Sequence, residues 1–200
     1  MLNKKLLLPL IISALIPATT VMADDAALTK EKCGACHGAD GNSKESKVPS
    51  IAGFTAETLE DILEQFSEGD RKADKYTPEG GKETDMSVIA KALSEEDRNK
   101  ITAYLAKQSF KPVKQAIDEA LAKVGKALHK KKCEKCHADG GSNVEDDTAI
   151  LAGQWEPYLQ KEFDSIAAGE RDVPKKMKKR FKKLSAEDRT ALIKYYVSQQ

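Results

Sequence analysis

Aromatic residues are scarce in this chain: Phe, Tyr and Trp make up 6% of its 200 residues, with a single Trp. Two small domains built from such a chain have thin cores, so the scarcity points to bulky apolar groups supplied from outside the polypeptide. Strand-type alternation is missing throughout, which leaves an all-α reading. Long apolar runs are also missing, apart from Leu6 to Ile16, which only Pro9 and Ser13 interrupt. That run is short for a membrane span of about 20 residues, and Pro9 and Pro17 disfavour one further. With Lys4 and Lys5 before it and Val21-Met22-Ala23 after it, it has the pattern of a secretory signal peptide over residues 1–23. Cleavage after Ala23 is the expected reading, with an uncleaved anchor as the lesser alternative; the mature chain then starts at Asp24, is exported to the periplasm and has no transmembrane segment after cleavage.

Charge of one sign is not in excess over the whole chain, whose net charge is +1, but it is unevenly placed. Residues 24–110 carry 12 basic and 18 acidic side chains, a net of −6, and residues 111–200 carry 19 and 14, a net of +5. One run stands out: Lys175, Lys176, Lys178, Lys179, Arg180, Lys182 and Lys183. Export argues against nucleic acid as its partner.

What is present is a repeat. Cys33-Gly34-Ala35-Cys36-His37 recurs as Cys133-Glu134-Lys135-Cys136-His137, and Ile51-Ala52-Gly53 as Leu151-Ala152-Gly153. Gly69-Asp70-Arg71 recurs as Gly169-Glu170-Arg171, and Leu93-Ser94-Glu95-Glu96-Asp97-Arg98 as Leu184-Ser185-Ala186-Glu187-Asp188-Arg189. The repeat defines two domains, 24–110 and 111–200, joined near Pro112, which can open a helix but not continue one. Ser94 and Ser185 are expected helix N-caps. Ile101, Tyr104 and Leu105, and Leu192, Tyr195 and Tyr196, are expected to face the core from the closing helices. Residues 113–132 read as one long amphipathic helix with Ile117, Leu121, Val124 and Leu128 on one side.

Cys-x-x-Cys-His is the attachment motif of c-type haem: two thiols bond the porphyrin and the histidine ligates the iron. Three rivals weaken on inspection. A single zinc site would need both cysteine pairs together, yet they lie 100 residues apart in separate repeats. A thioredoxin-like dithiol needs a βαβ context, and disulfides need no histidine. The cofactors expected are therefore two covalently attached haem c groups, on Cys33 and Cys36 and on Cys133 and Cys136, with His37 and His137 as iron ligands. Met1 and Met22 leave with the signal peptide, so each repeat keeps one methionine, Met86 or Met177, seven residues before Leu93 or Leu184. Matched methionines suit a sixth ligand, and His/Met ligation closes the iron to substrates, which favours electron transfer over peroxidase or gas-sensing chemistry. His129 has no counterpart in the first repeat and reads as a surface or packing residue.

Each half resembles a class I cytochrome c domain, with an amino-terminal helix, Cys-x-x-Cys-His, a methionine loop and a closing helix. The second half is similar to the cytochrome subunit of flavocytochrome c sulfide dehydrogenase at Gly125-Lys126-Ala127-Leu128-His129, Gly140-Gly141, Ile150-Leu151-Ala152-Gly153-Gln154-Trp155 and Pro157-Tyr158-Leu159. That resemblance implies an electron-transfer protein, not itself an enzyme, that takes single electrons from a separate FAD subunit oxidising sulfide. The alternative is a free-standing dihaem shuttle between a quinol-oxidising complex and a terminal oxidase. It also implies that the methionine loop lies near the exposed haem edge, which places the basic run around Met177 where an acidic redox partner would dock. In related cytochromes the carbonyl of the residue at Pro49 fixes the proximal histidine; the second repeat has Ala149 there. The first repeat departs in length, with 17 residues from Gly69 to Met86 against 8 from Gly169 to Met177.

Overall fold

The structure, a computed structural model, describes residues 19–145 and 148–200. Most of the expected signal peptide lies outside the described residues. The chain builds two helical units in succession. The first contains α1 (Thr19–Lys32), α2 (Gly34–His37), α3 (Ala56–Glu68), α4 (Met86–Ala92) and α5 (Glu95–Ala106). The second contains α6 (Glu119–Lys132), α7 (Ala138–Gly141), α8 (Glu156–Ala168), α9 (Lys175–Phe181) and α10 (Ala186–Val197). Among the described residues there is no strand, only isolated bridges between Arg71 and Arg171 and between Tyr76 and Thr84. No helix among them is long and apolar enough to cross a membrane.

In both units the first helix packs on the last, α1 on α5 and α6 on α10. The closing helices start as their serines dictate. Ser94 accepts from the Asp97 N–H, and Ser185 accepts from the Asp188 N–H while the Asp188 carboxylate accepts in return from the Ser185 N–H, a complete capping box. The expected inward stripe is buried at Ile101 and Leu105, at 2% exposure, and at Leu192 and Tyr196, at 1%, with Tyr195 also buried and Tyr104 half-buried.

The long helix expected over 113–132 is shorter in the structure. It starts at Glu119, because Asp118 caps it by accepting from the Leu121 N–H. The residues before it act as a strap: the Val113 N–H donates to the Gly153 carbonyl at 2.8 Å, and the Gln115 side-chain amide donates to the Gln154 carbonyl at 2.8 Å. The buried face also differs from the expected one. Ala122, Gly125 and His129 face inward, while Val124 is 52% exposed and Ile117 43%. The reason is close backbone approach. A Cβ on Gly125 would stand 1.9 Å from the Ala191 carbonyl oxygen, so the helices cross where there is no side chain. The crossing selects small residues, not large apolar ones. Gly125→Ala should force the helices apart and destabilise the second unit by about 1–3 kcal/mol, read from its denaturation midpoint. An unchanged midpoint would show that the crossing can open without cost.

The two units meet at an interface that includes the repeated Gly-x-Arg turns. Gly69 and Gly169 end α3 and α8 in the left-handed conformation, at φ 89° and 74°, which glycine adopts without the Cβ clash other residues meet. Each turn delivers an arginine to the interface, where Arg71 and Arg171 pair as a β-bridge. Glu162 on α8 accepts from both guanidiniums, at 2.8 Å from Arg71, with side-chain exposures of 7% for Arg71 and 10% for Glu162. Burial alone would raise the Glu162 carboxyl, but the Arg71 and Arg171 charges outweigh it and hold the group below the usual carboxylate range. Ile150 of the second unit lies in the apolar cluster of the first, with Phe54, Leu59 and Phe66.

Candidate haem sites

Each Cys-x-x-Cys-His motif is one helical turn continuing from the helix before it. The Cys33 N–H donates to the Thr29 carbonyl at 2.9 Å, and the His37 N–H donates to the Cys33 carbonyl at 2.9 Å. In the second unit the Cys133 N–H donates to the His129 carbonyl at 2.8 Å, and the His137 N–H to the Cys133 carbonyl at 3.0 Å. The chain then folds back. The N–H groups of Ile51 and Ala52 converge on the Gly41 carbonyl, as those of Leu151 and Ala152 converge on the Gly141 carbonyl.

This return carries Pro49 to His37, whose Nδ1 lies 2.9 Å from the Pro49 carbonyl oxygen. That bond fixes the tautomer with the proton on Nδ1 and leaves Nε2 as the nitrogen that can meet a metal. His37 is buried, and burial pushes its pKa below the ordinary value although the Pro49 bond acts the other way, so the ring is neutral, the form that ligates iron. His137 is half-buried.

None of the four cysteines is in a disulfide. Burial pushes the Cys33 thiol up to about 11, helped by the neighbouring Cys36, and burial raises Cys36 and Cys133 as well. A redox dithiol needs a depressed thiol, so the environment opposes that reading.

Met86 and Cys33 pack against one apolar cluster, and Met177 and Cys133 against the other. Each repeat thus brings its methionine and its first cysteine to the same core. The extra length before Met86 forms a hairpin: Tyr76 and Thr84 exchange N–H to carbonyl bonds of 2.8 and 2.9 Å. Its paired ends return the chain to one point, where Asp85 caps α4 by accepting from the Val88 N–H and Met86 follows as the first helical residue. The insertion therefore leaves Met86 on the same apolar cluster as Cys33. Around Met177, Lys175, Lys176, Lys178, Lys179, Arg180, Lys182 and Lys183 are all exposed.

Sequence reasoning missed several residues. His129 is buried at 1% exposure, its Nδ1 3.0 Å from the Tyr196 hydroxyl and its Nε2 2.6 Å from a Glu134 carboxylate oxygen. It ties α6 to α10 and to the haem-attachment turn, so the packing half of the expectation holds and the surface half does not. Arg71, Arg171 and Glu162 marked the repeat or went unnoticed, yet they join its halves. Gln154 and Trp155 are interface residues whose clue was that polar Gln154 stands where the first repeat has Phe54.

A His37 ring anchored by Pro49 and, in each unit, a Cys-x-x-Cys-His turn free of disulfides that shares a core with one methionine fit a covalently held haem. A family model described as cytochrome c matches residues 23–109, and one described as cytochrome C oxidase, cbb3-type, subunit III matches residues 120–195. Cytochrome c4 of Stutzerimonas stutzeri is 32% identical over 183 residues, covering 84% of each chain. Cytochrome c4 of Pseudomonas aeruginosa is 31% identical over 179 residues, covering 84% of this chain and 83% of the relative. The crystal structure of reduced recombinant cytochrome c4 from Pseudomonas stutzeri superposes with a TM-score of 0.70 at 30% identity, over 92% of this chain and 99% of that one. Fold and motifs together define a tandem class I cytochrome c carrying two covalently bound haem c groups. The chain belongs to the cytochrome c4 family, a family of dihaem electron-transfer proteins.

Proposed function

We propose that the chain is a periplasmic one-electron carrier with its domains over residues 24–110 and 111–200. Cys33 and Cys36 would hold one haem and Cys133 and Cys136 the other, with His37 and Met86, and His137 and Met177, as the residues that would ligate the irons. Bound there, a haem supplies reversible single-electron storage at an iron closed to substrates. The observation that carries this reading is the anchored His37 ring, oriented by Pro49, beside a cysteine and a methionine on one core. The protein's own share is to hold the ligands, exclude water from the cores and present one face of each unit to a partner.

Similarity to cytochrome c4 over both halves favours the free-standing shuttle between a quinol-oxidising complex and a terminal oxidase. The second reading, docking on an FAD-containing sulfide-oxidising subunit, is favoured by the Gln154-Trp155 and Gly125-to-His129 segments and by the acidic first unit, which offers a surface distinct from the basic one. Purification of the native protein at low salt separates them: a stoichiometric flavoprotein supports the second reading, and a dihaem chain alone supports the first.

Both readings give the basic face near Met177 the same role, an exit surface for an acidic redox partner. Electrostatic steering weakens as the Debye length falls to about 3 Å at 1 M salt. Electron transfer to an acidic acceptor should therefore slow with ionic strength, and replacing Lys176, Lys178 and Lys179 by glutamine should remove most of that dependence. Rates indifferent to both changes would assign the lysines to solubility alone.

A further inference from the structure

The second unit reaches into the loop that holds His37. Gln154 and Ser50 are both fully buried, at 0% exposure. The Gln154 Oε1 accepts from the Ser50 N–H at 3.0 Å, and its Nε2 donates to the Ser50 carbonyl at 2.7 Å. The Ser50 N–H belongs to the same peptide unit as the Pro49 carbonyl, which faces His37 Nδ1 at 2.9 Å. One amide is therefore engaged on both sides, by Gln154 at its N–H and by His37 at its oxygen. Trp155 adds a second tether: its indole Nε1 donates to the Ser43 carbonyl at 3.1 Å, and the Ser43 hydroxyl donates to the Cys36 carbonyl at 3.1 Å. At the positions corresponding to Gln154 and Ser50, the other pairing has Phe54 and Ile150, which lie in an apolar cluster.

We propose that Gln154, supported by Trp155, is a positioning residue for the first haem, acting across the domain interface through the Pro49–Ser50 peptide on His37. Hydrogen bonds in series polarise one another, so an acceptor on the Ser50 N–H makes the Pro49 oxygen a stronger acceptor. A stronger acceptor on Nδ1 raises the basicity of a ligating imidazole and favours the oxidised metal. The second unit thereby lowers the potential of the first haem. Domain docking and the relative potentials of the two haems become one property. The inference rests on the proposed ligation of iron by His37.

The test uses the full-length dihaem protein with 15N-labelled histidine. In the wild type, strongly shifted His37 ring resonances in the ferric state report ligation; their absence would remove the ligand assignment itself. Given those resonances, Gln154→Ala should move the His37 Nδ1–H signal and raise the first haem's potential, changing the electron-partition constant between the haems at least threefold, which is about 30 mV at 59 mV per tenfold for one electron. The second haem's potential should stay where it is. Trp155→Phe, which keeps the ring and removes one bond, should shift the first haem in the same direction by less. Shifted His37 resonances that Gln154→Ala leaves unmoved, or equal shifts of both potentials, would overturn the proposal and leave Gln154 as an interface contact only.

Discussion

Met177→Ala will remove the methionine-to-iron charge-transfer absorption of one haem and lower that haem's potential by a sizeable share of the about 0.8 V that axial ligands span. Met86→Ala will do the same to the other. The expectation follows from placement. Each methionine lies with the first cysteine of its own motif on one apolar cluster, and α4 and α9 deliver the two to matching points. A thioether favours the reduced iron, and its loss admits water or leaves an open position, so the variants should also bind small ligands that the parent refuses. Absorption spectra and redox titrations of each single variant check the assignment. An unchanged band and potential in either variant would remove that methionine from the ligand set. The double variant should lose both bands.

Glu162→Gln will cost about 3–5 kcal/mol, the effect of removing one partner from a buried ionic cluster. The loss is large because Glu162 is the carboxylate between Arg71 and Arg171, and without it two guanidiniums face each other in the interface with little water. Trp155, the only tryptophan, sits at the same interface and reports undocking by its fluorescence during denaturation. An unchanged midpoint would show that other groups neutralise the arginines. Acid should imitate the substitution. The folded Glu162 carboxyl titrates below its unfolded value of about 4.3, so its contribution is complete above that pH and is lost as pH falls through the lower, folded value. The gap between parent and variant should therefore close in strongly acidic solution and persist at neutrality.

The chemistry of this protein was legible because it is local. Cys-x-x-Cys-His places three functional groups within one helical turn, and the turn forms as its spacing requires. The caps at Ser94 and Ser185 were legible for the same reason. What escaped was whatever depends on a second segment. The buried face of α6 could not be read from apolar periodicity, because the crossing at Gly125 is set by the Ala191 backbone 66 residues away. His129 read as a surface or packing residue, and it takes Tyr196, from a distant segment, to settle it as packing. Arg71 and Arg171 were visible as a repeated pair, but a repeat of like charges gives no hint of the single carboxylate that joins them. The specific tie to a sulfide-oxidising flavoprotein rested on short matching segments, whereas similarity over the whole chain supports the broader cytochrome c4 assignment.

The mismatch between Gln154 and Phe54 decides which halves can associate. Two copies of the first half would set the buried N–H and carbonyl of Ser50 against Phe54, which offers neither donor nor acceptor, at about 1–3 kcal/mol for each stranded group. Two copies of the second half would face Gln154 with Ile150, stranding the amide instead. Only the unlike pairing satisfies Gln154 and Ser50 together. The duplicated halves thus favour each other over copies of themselves, a preference written into one polar pair.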